Sequence, residues 1–161
     1  MDTLQKKRTS LYELDTVDWK ILHDLQMDGR LSCAELGRRS KLSKPAIRRR
    51  VARMEKAGII TGYRAHVNPK RLGMPFTAII LQAVAHDQVK QLTTVVKNWI
   101  EISECYIVEG EASTFFMKAH LTSMEQLENL VDRLAPYGTP NASVVLSSPV
   151  EDRAIERPRR E

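Results

Sequence analysis

Apolar residues recur through the first sixty positions at three- and four-residue spacing, the period of amphipathic helices. Val17, Ile21, Leu22 and Leu25 predict one helix, with Asp15 or Thr16 as its cap and a stop before Gly29. Ser32-Cys-Ala-Glu35 has the spacing of a capping box around an apolar Leu36, so a short second helix should end near Arg39-Ser40. Ser43 can cap a third, which begins near Lys44 and tolerates Pro45 in its first turn. At 100° per residue, Ile47, Val51 and Met54 share one narrow face of it, while Arg48, Arg49, Ala52, Arg53 and Lys56 spread over the other. Gly58 is placed to end this helix in a left-handed conformation. The result is a three-helix unit with a shared apolar centre.

Beyond it the pattern changes. Ile59 to Val67 has β character, and Asn68-Pro69, Gly73 and Pro75 supply breakers. Phe76 to Ala85 reads as a strand, and Asp87 as the cap of a helix carrying Val89, Leu92, Val95, Val96 and Trp99. Ile102 to Glu109 and Glu111 to Leu121 read as two more strands. Ser123 opens a helix with Met124, Leu127, Leu130, Val131 and Leu134 on its apolar side, Pro136 and Gly138 close it, and Ala142 to Ser147 forms a last strand. The order βαββαβ is that of a ferredoxin-like α+β sandwich, with both helices on one face of an antiparallel sheet. Its other face needs cover, and dimerisation through the sheets supplies it economically. The expected organisation is an arm at 1–13, a helical domain at 14–66, a linker at 67–75, the βαββαβ domain at 76–150 and a mobile charged tail at 151–161.

Charge is divided along the same boundary. Residues 1–66 hold 15 Lys or Arg against 8 Asp or Glu, net +7, and the remainder holds 10 against 12, net −2, giving the overall +5. Cationic character confined to the helical third suits phosphate contact, where released counterions drive affinity. A basic face alone is ordinarily just a solvated one. Here it follows another short helix after a three- or four-residue turn, the helix-turn-helix pattern whose second helix enters the major groove of duplex DNA. Ser43, Lys44, Arg48, Arg49, Arg50 and Arg53 are the candidate DNA-binding residues. Arg48, Arg49 and Arg53 are read as facing outward, with Lys44 near the helix start, and Arg50 as lying nearer the packed flank. Lys6, Lys7 and Arg8 could form a minor-groove or phosphate arm, although disordered basic termini are commoner.

Other classes lack support. No run approaches the ~18 apolar residues of a membrane span, and Met1 to Ser10 lacks the apolar centre of a secretory signal, so a cytoplasmic location with no membrane partner is expected. Cys33 and Cys105 fall within a predicted helix and strand and read as reduced, packed thiols, a redox sensor being the alternative. His23, His66, His86 and His120 show no ligand spacing, so no metal is expected. There is no phosphate loop, nucleophile motif or dinucleotide fingerprint, so neither a catalytic residue nor a cofactor is expected.

Several motifs then match one family together. Leu14-Asp15 with Asp18, Ile21-Leu22 and Asp28-Gly29-Arg30, then Leu42-Ser43, Arg50-Val51, Arg53-Met-Glu55 and Gly58-Ile-Ile-Thr-Gly-Tyr63 follow in order. Asn68-Pro69, Leu72-Gly73 and Glu104-Cys-Tyr-Ile-Val-Glu-Gly110 continue the series. The chain resembles the Lrp/AsnC (leucine-responsive and asparagine-responsive) transcriptional regulators from about Leu14 to Pro149. The resemblance implies a DNA-binding head and a ligand-responsive βαββαβ domain that builds dimers and usually octamers or other multimers. It also implies that Arg50, matching the family's arginine, braces the helix or touches the DNA backbone. The family's effector turn carries a Gly-Asp-Tyr-Asp-Tyr pattern after the central strand, and here Gly110 is followed by Glu111, Ala112, Ser113 and Thr114. The second carboxylate is missing. Glu111 could meet the ammonium of an amino acid or related metabolite, and Ser113, Thr114 and backbone amides its carboxylate; a tight turn without ligand is the equal alternative. An architectural DNA-binding protein shares every basic feature, and an amino-acid-binding regulatory subunit of an enzyme shares the second domain.

Overall fold

The computed structural model describes residues 13–110 and 113–158. The chain forms two compact units: one comprises the residues up to Ala65 together with those from Val150 onward, the other His66–Pro149.

The first unit is built on α1 (Thr16–Met27), α2 (Cys33–Ser40) and α3 (Lys44–Lys56). Local chemistry sets their starts. The Asp15 carboxylate accepts from the Asp18 amide at 2.8 Å while Asp18 reciprocates to the Asp15 amide at 3.2 Å, and Ser32 and Glu35 form the equivalent box on α2. Ser43 Oγ accepts from the Ala46 amide at 3.4 Å, and Pro45 occupies the first turn of α3. Ile21, Leu36, Ile47 and Met54 are buried at the meeting of the three helices. The α2–α3 turn is tight. Lys41 takes a left-handed conformation (φ 55°), Leu42 N–H donates to the Gly37 carbonyl at 3.0 Å, and a Cβ at Gly37 would lie 2.6 Å from the Leu42 carbonyl oxygen.

The stretch after α3 departs from expectation. Gly58 does turn left-handed (φ 69°), and the amides of Ile59 and Ile60 donate to the Met54 carbonyl, but no strand forms across 59–67. A strand exists only with a ladder partner, and none lies beside it among the described residues.

The second unit is a four-stranded antiparallel sheet in the order β2-β3-β1-β4, formed by β1 (Phe76–Val84), β2 (Ile102–Val108), β3 (Ser113–Leu121) and β4 (Pro140–Val144). Helices α4 (Val89–Val96) and α5 (Met124–Leu134) complete the βαββαβ order and the ferredoxin-like α+β architecture. Ala78, Ile80 and Val84 of β1 and Phe115, Met117, Ala119 and Leu121 of β3 point to the helices, where Leu92, Val96, Leu127, Leu130 and Leu134 close the core. Each large side chain so buried contributes about 1.5–3 kcal/mol.

Three boundaries are corrected. Asp87 does not cap α4: Gln88 N–H closes a turn on the Ala85 carbonyl at 2.9 Å, so the helix starts one residue later without a side-chain cap. Trp99 lies beyond that helix, where the Arg133 guanidinium stacks 4.1 Å from its ring centre and also bonds Glu101 at 2.9 Å. The last strand runs earlier than the apolar run suggested, because its register on β1 places Val144 opposite Ala78 and leaves Leu146 outside the ladder and exposed.

The sheet face away from the helices has apolar and polar halves. Leu81 pairs with Phe116, which pairs in turn with Tyr106, making an apolar row across three strands in which Tyr106 is 61% exposed. Beside it Lys118 bonds Glu104 at 3.0 Å and Thr77 bonds His120 at 3.1 Å.

After β4 the chain returns to the first unit. Residues 151–158, expected as a mobile tail, are held at Ile155: its amide donates to Gln26 Oε1 at 2.8 Å and its carbonyl accepts from Gln26 Nε2 at 3.1 Å.

Candidate nucleic-acid interface

Helix α3 carries a buried face, an outward face and a flank that each hold different chemistry. Ile47 and Met54 fix the buried face. On the outward face Lys44, Arg48 and Arg49 are exposed, and neither Arg48 nor Arg49 has an ion-pair partner among the described residues. Arg48 also borders an open cleft of about 450 Å³ lined by Leu25, Leu31, Cys33, Val51 and Tyr63. Tyr63 donates to Glu55 at 3.0 Å; burial, helped by that carboxylate, pushes its phenol up to about 12. The cleft and this bond were invisible in the sequence, because they join Tyr63 to a helix turn eight residues earlier through an irregular segment.

The flank is an ion-pair network. Arg50 Nη1 donates to Asp15 at 2.6 Å and to Asp18 at 2.8 Å, which makes it a brace between α1 and α3. Arg53, expected to face outward, instead has its Nη2 on Asp18 at 2.9 Å, with half of the side chain still at the surface. A helical wheel could not show this, since Asp18 belongs to another helix. The Asp18 amide first, and Arg50 second, hold the Asp15 carboxyl below its ordinary 3.8. A depressed carboxyl contributes stability that is present above its ordinary value and lost as pH falls through the depressed one. Thermal unfolding of the Asp15→Asn variant from about pH 5 to about pH 2 should therefore show a shallower acid loss than the parent. Identical pH profiles would show that the bond does not stabilise the unit.

The second candidate site is only partly described. Gly110 forms a bend after β2, Glu111 and Ala112 lie outside the described residues, and Ser113 and Thr114 begin β3. Both hydroxyl side chains are partly buried, and they pair with Val84 and Ala83 at the end of β1. The basic arm with Lys6, Lys7 and Arg8 also lies outside the described residues. Cys33 is partly buried at the start of α2, whereas Cys105 is exposed on β2 rather than packed. Among the described residues no three His, Cys, Asp or Glu side chains gather as metal ligands, and no helix is long and apolar enough to cross a membrane.

Known proteins share both units. Residues 14–61 match the winged helix-turn-helix DNA-binding model and residues 76–155 the Lrp/AsnC ligand binding domain. The HTH-type transcriptional regulator LrpC of Bacillus subtilis is 33% identical over 135 residues, covering 84% of this chain and 93% of the relative. Its solved structure superposes with a TM-score of 0.80 at 32% identity, over 84% of this chain and 96% of that one. The leucine-responsive regulatory protein of Escherichia coli is 37% identical over 122 residues, 74% of each chain. A Neisseria meningitidis transcriptional regulator solved as an L-methionine complex gives a TM-score of 0.81 at 29% identity, over 89% of this chain and 96% of that one. With a helix presenting exposed arginines after a tight turn, followed along the chain by a βαββαβ unit, the protein belongs to the Lrp/AsnC family of DNA-binding transcriptional regulators.

Proposed function

We propose that this regulator binds a limited set of duplex DNA sites through α3, in control of amino-acid or related metabolism, and answers to a small metabolite at 110–114. Arg48 and Arg49 carry the reading: two exposed guanidiniums without ion partners among the described residues, on the outward face of a helix whose other face is locked in a core. Lys44 and the Ser43 end of the helix approach phosphate; one of the arginines reads a guanine edge. Arg53 touches the DNA from the flank, and Arg50 braces. Two copies pair through the Leu81–Phe116–Tyr106 row, so that each dimer carries two recognition helices for successive major grooves. Further assembly of such dimers would bend the DNA.

An amino acid or a close relative is the effector class. The L-methionine held by the Neisseria protein supports that class, and here Ser113 and Thr114 offer donors to a carboxylate and Glu111 an acceptor to an ammonium.

Binding across genomic fragments at moderate salt, on protein whose assembly is followed by sedimentation, tests this reading. A few preferred fragments, a dimer or larger species, and a shift with at least one amino acid that the Glu111→Ala, Ser113→Ala double variant no longer shows are expected. Uniform coating of all fragments would replace the regulator with an architectural protein. A monomer at micromolar concentration would remove the paired sheets.

A further inference from the structure

We propose that Asp18 is a positioning residue for DNA recognition: from α1 it sets the rotation of the recognition helix and presents Arg53 in a fixed orientation. Its side chain is 1% exposed beside the apolar core of the unit, more deeply buried than Asp24 on the same helix. A buried carboxylate is costly unless paired and hydrogen-bonded, so its partners explain its presence. Capping explains only one of them. Helix α2 achieves the same box with Glu35, which bonds the Ser32 amide at 2.8 Å and Ser32 Oγ at 2.6 Å and lines no core. Asp18 makes that bond and two more, Oδ1 to Arg50 and Oδ2 to Arg53.

Those two arginines stand three residues apart, one turn of α3, on the flank between the Ile47/Met54 core face and the Arg48/Arg49 outward face. A single anchor at each turn resists rotation of α3 about its own axis, which apolar contacts alone leave softer. Asp15 adds a second hold on Arg50 from the same helix end. Two carboxylates against two guanidiniums leave this flank close to neutral, so it adds little to the cationic field. Its contribution is geometric. Arg53 is held by Asp18 yet keeps 52% of its side chain at the surface, the condition under which an arginine meets DNA with its rotamer already selected.

This inference rests on Arg53 contacting DNA, as proposed above, and a double-mutant cycle separates the two. Full-length parent, Asp18→Asn, Arg53→Gln and the double variant are titrated on a preferred fragment, with circular dichroism confirming that each is folded at the assay temperature. Asp18→Asn and Arg53→Gln should each weaken Kd about five- to tenfold, the ordering of one long side chain. The double variant should lose clearly less than the product of the two single losses, because part of the Asp18→Asn effect runs through Arg53, whereas Asp18→Asn combined with Arg49→Gln should come closer to additive. Additivity of Asp18→Asn with Arg53→Gln, or an Asp18→Asn variant that melts earlier but binds with parental Kd, would overturn the positioning role. An Arg53→Gln variant with parental Kd would instead overturn the Arg53 contact beneath it. If Asp18→Asn does not fold, Arg53→Lys decides: it keeps the charge but not the planar fork, so a roughly fivefold loss supports a held guanidinium and parental affinity refutes it.

Discussion

Replacing Arg48 and Arg49 together by alanine is expected to weaken binding to a preferred DNA fragment by on the order of a hundredfold, with folding and assembly unchanged. In the proposed complex each side chain would reach a phosphate or a guanine edge, and a good bidentate guanine pair alone carries about 1–3 kcal/mol. Neither contributes to an ion pair among the described residues, so truncation leaves no buried partner stranded. The slope of log K against log salt should flatten by about one unit for every phosphate that the variant no longer neutralises. Arg53 does not belong in this pair, since its removal would also strip Asp18 of a partner and mix a stability effect with a binding effect. Electrophoretic mobility or anisotropy titrations at several salt concentrations check the result; retained affinity would mean that α3 is not the reading helix.

The second large effect concerns the turn. Gly37→Val should lower the unfolding midpoint of the first unit by about 10 °C or more, from a cost of roughly 2–3 kcal/mol. The new Cβ would collide at 2.6 Å with the Leu42 carbonyl oxygen, which is backbone and cannot rotate away, while Leu42 is pinned by its own N–H to Gly37. Relief requires the α2–α3 turn to open, and that pulls Ile47 from the core, since its Cγ1 already lies 3.8 Å from the same position. Calorimetry on the full chain should show the effect in the first unit with the sheet unit unmoved. A midpoint within a degree or two of the parent would show that the turn has slack.

What the sequence disclosed divides by range of interaction. The three starts at Asp15, Ser32 and Ser43 were legible because a cap is satisfied within three residues of chain, and the core face Ile47/Met54 because a helix repeats its own geometry. Arg48 and Arg49 followed from the same wheel. Non-local pairing was not legible. The apolar stretch 59–67 has strand composition but finds no ladder, and the last strand slid to 140–144 because β1 sets its register. Arg53 was misplaced for a related reason: its angle on the helix is outward, but a carboxylate 35 residues upstream captures it. The effector reading of 110–114 rests on its family pattern alone, since two hydroxyls and one acid carry no spacing of their own, and Glu111 and Ala112 lie outside the described residues.

The Gln26–Ile155 clasp gives the head domain an unusual assembly order. Its helices lie between residues 16 and 56, but the piece that bonds Gln26 is separated from it by 129 positions, with the whole sheet unit threaded between. On the ribosome, therefore, α1 to α3 emerge long before their closing segment, and the head spends the synthesis of the His66–Pro149 unit with one side-chain amide hydrated rather than paired. The clasp adds a bond of high sequence separation to an otherwise local three-helix fold, so it forms after the helices have docked and lengthens the folding time without deciding the route. A head excised at His66 would keep α1 to α3 and lose the segment that carries the clasp, so its refolding rate, compared with that of the full chain, reports on the closure step.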